Sequence, residues 1–154
     1  MTSGEQRARR QRAARIARKL GFVGRVEYRH VYSQTGGAQY GRGSAPQADL
    51  LTVYAEAFER DTDPEDFSLE AMIAHECGHQ ILARHPRIAK RVAGVSEASE
   101  EILASLLGAM ICKEDTDRVA LYAKATAELL DRGQSIEATT RQLQVLWELL
   151  ETLL

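Results

Sequence analysis

Two cysteines, three prolines and one tryptophan in 154 residues leave several protein classes without their raw material. Cys77 and Cys112 are too few for a disulfide framework, and both fall in apolar helical patterns where a free thiol behaves as a small hydrophobe. They read as reduced core residues. No apolar run approaches the ~18 residues needed to span a bilayer, which excludes a transmembrane helix and any membrane partner. The first 21 residues, MTSGEQRARRQRAARIARKLG, lack the apolar stretch and small-residue cleavage site of a secretory signal. A cytoplasmic location is expected.

What is present is an ordinary globular balance, 44% hydrophobic and 27% charged, in a length suited to one domain spanning residues 1–154 with one core. The net charge of −2 conceals an asymmetry: residues 1–19 hold seven Lys and Arg against one Glu, or +6, leaving −8 for the rest. Ala13, Ile16, Ala17 and Leu20 recur at helical spacing, so about Glu5 to Leu20 reads as a basic amphipathic helix with a narrow apolar face. It could touch nucleic acid or an acidic partner. The absence of interleaved aromatics for base stacking favours a solvated helix that neutralises its own acidic domain.

Beyond Gly24 the pattern turns to alternation and β-branched or aromatic residues. A strand is expected at about Val26 to Ser33, a Gly-rich turn holding a short second strand near Gln39 to Arg42, and a third at Leu50 to Ala55. Past Pro64 the chain reads as helical: about Phe67 to Arg84, Ser96 to Lys113, Thr116 to Asp131 and Ile136 to Leu153, with breaks at Pro86, Gly94, Lys113 to Asp115 and Gly133. The fold class is α+β, a small antiparallel β-sheet packed on a helical core. The last helix is rich enough in Leu to serve as core or as a dimer face; the oligomeric state stays open.

The first of these helices, FSLEAMIAHECGHQILAR, carries the chemistry, with Ser68 as its cap. His75 and His79 stand four apart, so their imidazoles project from one face and can close on a single zinc ion. Glu76 follows the first imidazole. There its carboxylate can take a proton from water held by the zinc and hand it to a leaving amine, the general acid/base role.

Such a zinc needs a third protein ligand. His85 lies six residues after His79, the spacing of the metzincin pattern H-E-x-x-H-x-x-G-x-x-H, but Leu82 stands where that pattern has Gly. With Leu82 the helix continues and carries His85 about 9 Å along the axis. The stronger candidate lies in SEASEEILASLLGAMICK, where Glu97 and Glu101 head a stripe that continues through the small residues Ala104 and Gly108. Small residues allow close approach to the first helix, bringing Glu97 in as ligand and Glu101 as hydrogen-bond acceptor from a ligating imidazole. Glu100 heads a more apolar stripe and ranks below Glu97. The helix dipole alone would also favour acids at this helix start.

HECGH followed by SEASEE resembles the gluzincin peptidases, in which a downstream Glu-x-x-x-Asp supplies the third ligand and a supporting acid, here Glu97 and Glu101. More narrowly, AHECGHQILARHP and EASEEILASLL are similar to the ImmA/IrrE family of cytoplasmic metallopeptidases, with patterns A-H-E-L-G-H and E-x-E-A-N-x-F-A-A-x-L-L. QSIEATTRQLQVL, residues 134–146, is similar to a further helical segment of that family. Here Glu101 stands for the family's Asn and Leu103 for its Phe, and Leu-Met-Pro is absent after the second helix. The resemblance covers about Ala74 to Leu107 and implies a zinc peptidase that cleaves a polypeptide substrate, a transcriptional repressor, at one site. Substrate strands commonly add to a sheet edge in such enzymes, and Leu50 to Ala55 is the expected edge. His30, Tyr28, Tyr40, Tyr54 and Tyr122 are the candidates for polarising the reacting carbonyl. Two rivals stand beside this reading: a non-catalytic zinc-containing regulatory protein binding DNA or a partner through its basic helix, and a metal-free helical interaction domain.

Overall fold

The computed structural model describes residues 1–33, 36–60 and 67–154. The expected break at Pro64 and the first residues of the Gly-rich turn, Gln34 and Thr35, lie outside the described residues. The chain runs α1 (Ser3–Lys19), β1 (Arg25–Arg29), β2 (Ala38–Gly41), a short 3-10 turn (Pro46–Ala48), β3 (Leu50–Tyr54), α2 (Ala55–Arg60), α3 (Leu69–Arg84), α4 (Pro86–Ala93), α5 (Glu100–Ile111), α6 (Asp115–Asp131) and α7 (Ile136–Leu153). This is the α+β class. No helix among the described residues is long and apolar enough to cross a membrane.

The sheet is mixed, which corrects the expected antiparallel arrangement. Its order is β1-β3-β2: β3 pairs parallel with β1, Val26 opposite Leu51, and antiparallel with β2, Tyr40 opposite Leu51. The Leu50–Tyr54 strand is therefore central, not an edge. Its own sequence explains this: Leu51, Thr52 and Val53 are all buried, and a strand covered on both faces reads as a continuous apolar run, not as an alternation.

Two short helices escaped the periodicity. In α4, Pro86 occupies the first helical position, where its missing N–H is no loss, so the residue that signals a break also begins a helix. The other, α2, follows β3 without an intervening loop and is only six residues long.

The basic helix is docked, not a free arm. Thr2 and Glu5 close a reciprocal capping box at its start, and Ala13 and Ala17 are wholly buried in one core cluster with the sheet and α3. Arg9 donates to the Tyr28 hydroxyl at 2.8 Å and lies over the rings of Tyr28 and Phe58, so part of its charge is used within the fold.

α3 runs through the middle of the molecule. Leu69 and Ile73 face the sheet core, while Leu82 belongs to a second core with α5, α6 and α7. Against α5 the contact is backbone to backbone: a Cβ on Gly78 would collide with the Ala104 carbonyl, and one on Gly108 would stand 2.8 Å from the Ala74 carbonyl oxygen. The stripe of Ala104 and Gly108 thus does what its residue sizes imply. The 43–49 loop is fastened to α3 through Asp49, which is fully buried. Its carboxylate accepts from Gly43 N–H at 2.7 Å, Tyr40 Oη at 2.7 Å, Gln80 Nε2 at 2.9 Å and Arg84 Nε at 3.0 Å.

Candidate metal centre

Residues 75–79 are helical within α3, so His75 and His79 present their rings on one side, centroids 4.8 Å apart. The α3–α5 contact brings the first turn of α5 over them. Glu101 Oε2 stands 2.9 Å from His75 Nε2, and Glu101 Oε1 stands 3.0 Å from His79 Nε2. One donor atom from each of His75, His79 and Glu101 fits within a mutual spread of 4.8 Å.

Glu97, the expected ligand, lies outside this group. α5 starts at Glu100 with Ser99 as its cap, its hydroxyl accepting from Ile102 N–H. Glu97 therefore lies in the non-helical stretch before α5 and shares no helical face with Glu101. Two serines three residues apart competed for the cap, and Ser96 is occupied otherwise: its Oγ accepts from Gln142 Nε2 of α7 at 2.6 Å and from Ala98 N–H. Glu101, read as a supporting acid, occupies the third position. Glu100 keeps a distant place, with Oε1 3.7 Å from His79 Nδ1. His85 ends α3, exposed and away from the cluster.

Sequence reasoning missed Ser105, one turn beyond Glu101 on α5. It is buried, with its Oγ 3.0 Å from His75 Nδ1. A hydroxyl both donates and accepts, so Ser105 satisfies Nδ1 in either tautomer. When Nδ1 donates, the Nε2 lone pair faces Glu101 and is available to a metal. The signal for Ser105 was a small polar residue inside an otherwise apolar helix.

The charge states suit ligation. Burial holds the His75 imidazolium below its ordinary range, with the Lys124 charge adding to the effect, so the ring is neutral at pH 7. Glu101 pays a burial penalty that would raise its pKa, yet the adjacent imidazoles bring it below the ordinary carboxylate value. Glu76 is pushed up to about 7, first by burial and then by the Glu101 charge, against a hydrogen bond from the Tyr40 backbone N–H. In a tetrahedral zinc site with bonds of about 2.0–2.1 Å, ligand atoms stand roughly 3.3–3.5 Å apart. The Glu101 contacts reach that separation by side-chain adjustments of a few tenths of an ångström, the full spread of 4.8 Å must close by about an ångström or more through ring rotation, and two imidazoles with one carboxylate form a donor set that zinc accepts.

These groups line a cavity of about 550 Å³. Glu76, Glu100, Glu101 and the two imidazoles stand on its helical side, and Ala38, Gln39 and Tyr40 of β2 form its other wall. Of the five residues expected as candidates for polarising a carbonyl, Tyr40 alone lines the cavity. Its hydroxyl donates to Asp49, and burial together with that bond pushes its pKa up to about 12. Tyr28 and His30 bond each other, Tyr54 faces Gln39, and Tyr122 packs on Trp147. Both thiols are buried, Cys77 and Cys112 each pushed up to about 12 chiefly by desolvation, so neither is a nucleophile or thiolate ligand.

Comparison with protein families, with curated proteins and with solved structures finds no match to this chain.

Proposed function

We propose that this chain is a cytoplasmic zinc-dependent endopeptidase in which His75, His79 and Glu101 hold the metal and Glu76 is the general acid/base. The observation that carries the reading is the convergence of His75, His79 and Glu101 donor atoms within 4.8 Å in a cavity that Glu76 also lines. When bound there, zinc lowers the pKa of a water and polarises the carbonyl under attack. Glu76, with its proton affinity near neutrality, accepts a proton from the attacking water and delivers it to the departing amine nitrogen. Ser105 holds the His75 ring in register. An extended peptide would lie along β2, the sheet edge that walls the cavity, and exchange backbone hydrogen bonds with it. A repressor protein as the substrate rests on the resemblance of AHECGHQILARHP and EASEEILASLL to the ImmA/IrrE family alone.

The test is zinc content per chain, measured beside cleavage of an unstructured peptide mixture by mass spectrometry. The wild type retains about one zinc and cleaves, and Glu76→Gln retains zinc and does not. Failure to hold zinc after incubation with the metal ends the proposal. The rival, a zinc-containing regulatory protein contacting nucleic acid, draws on the exposed Arg7, Arg10, Arg15 and Lys19 of α1. It requires zinc retention with no cleavage, and a DNA affinity that Glu76→Gln leaves unchanged.

A further inference from the structure

The cleft around the metal centre is chemically uneven from end to end. Its floor is α3 with the residue that leads into it: Phe67, then Ala71 and Met72 of α3, precede His75, while Leu82 and Ala83 follow His79. A second cavity of about 640 Å³ continues past His79 and shares Tyr40 and Glu100 with the first. That far end carries Glu97 and Glu100 with the exposed Arg42 among apolar side chains. At the near end, beyond His75, α6 contributes Leu121 and Lys124.

Lys124 is half-buried between Leu121 and Ala125, which anchor α6 in the core. Its Nζ lies 5.4 Å from the Phe67 ring centre. Among the described residues no hydrogen bond or ion pair engages that ammonium. It lines the cavity of the cluster and is close enough to His75, Glu76 and Glu101 to act on all three electrostatically. A cation set against the Phe67 ring, in a cavity that Met72 and Leu121 also line, is less hydrated than one in open water, which strengthens a bond to an incoming anion. At the opposite end Glu97 and Glu100 outnumber Arg42, so that end is the less favourable one for the same anion.

Resting on the peptidase reading above, we infer that Lys124 selects an acidic substrate side chain at the Phe67 end of the cleft. The extended peptide crosses the metal centre along β2, and a residue one or two positions from the scissile bond reaches Lys124, since each residue spans about 3.3 Å. Lys124 is a specificity-determining residue: its ammonium donates to the substrate carboxylate and, with the far-end acids, sets the direction in which the peptide lies.

The experiment uses the zinc-loaded protein and short peptidyl hydroxamates, which bind without being cleaved. Two probes are identical except for a Glu or a Gln side chain, and a third carries Lys. The wild type binds the Glu probe about tenfold to a hundredfold more tightly than the Gln probe, the range of one charge-assisted hydrogen bond. Lys124→Met abolishes this preference, Lys124→Arg retains it, and Lys124→Glu turns it towards the Lys probe. Zinc content of every variant verifies that the centre is intact. Equal affinity of zinc-loaded wild type for the Glu and Gln probes overturns this inference alone, as does a preference that survives in Lys124→Met. A wild type that holds no zinc overturns the peptidase reading and this inference with it.

Discussion

Glu101 Oε2 stands 2.9 Å from His75 Nε2 across the contact of two helices, and the other oxygen of the same carboxylate stands 3.0 Å from His79 Nε2. One side chain therefore closes the gap between both imidazoles. Glu101→Ala should remove zinc from the purified protein, while Glu97→Ala and His85→Ala leave about one zinc per chain. Metal analysis after dialysis decides it. Loss of zinc in Glu97→Ala with retention in Glu101→Ala would reverse the assignment.

Ser105 contacts no substrate, yet it holds His75 through Nδ1. Removing a group that orients a ligating imidazole typically weakens metal binding by about tenfold to a hundredfold. Ser105→Ala should show that loss in a competitive chelator titration, and Ser105→Thr should recover part of it. An unchanged affinity in Ser105→Ala would reduce the hydroxyl to a packing role.

The crossing of α3 and α5 leaves no space at Gly78. Gly78→Ala drives a methyl into the Ala104 carbonyl, an overpacking cost of about 1–3 kcal/mol that exceeds the gain in helix propensity of about 1 kcal/mol. The thermal midpoint should fall, and zinc affinity with it, because Glu101 moves off the imidazoles. Gly4→Ala is the control: its Cβ would meet nothing nearer than Thr2 Oγ1 at 3.8 Å, and it should be neutral or slightly stabilising.

Asp49 sets an acid limit on stability. The Arg84 guanidinium, joined by Gln80, Gly43 N–H and the Tyr40 hydroxyl, holds its carboxyl far below the ordinary carboxylate range despite burial. A depressed folded-state pKa contributes stability that is present above the unfolded value of about 3.9 and is lost as pH falls below it. Urea midpoints measured from pH 7 down to pH 2 should therefore drop steeply below about pH 4 in the wild type. Asp49→Asn should be weaker at pH 7, by on the order of 2 kcal/mol for the lost charged hydrogen bonds, and flatter with pH. Parallel curves for the two proteins would refute the assignment.

Much of this architecture was legible in the residues. Periodicity located α3, α6 and α7, and Ser68 marked the cap of α3. The size of Ala104 and Gly108 announced the close helix crossing. What stayed hidden was decided by contacts between distant segments. LLTVY reads as a covered strand from its continuous run, but which strands flank it, one parallel and one antiparallel, was decided only by its pairing with β1 and β2. The choice between Ser96 and Ser99 as cap turned on Gln142, more than forty residues away in sequence, and that choice separates Glu97 from Glu101. Lys124 carries no local mark at all, because a lysine in an amphipathic helix is ordinarily a solvated one.

The strand order β1-β3-β2 also bears on how the molecule comes into being. His75, His79, Glu101 and Ser105 all come from α3 and α5, with His75 and Glu101 26 residues apart in sequence and α4 between the two helices. The wall opposite requires β3 to slot between two strands that precede it in the chain, with one parallel pairing spanning twenty-five residues, Arg25 to Leu50. The two separations are nearly equal, so closing the helix pair and closing the strand pair cost about the same in chain entropy. The candidate ligands and the wall opposite them thus come from two parts of the chain that close independently, and the cleft exists as a place to grip an extended chain only where both have formed.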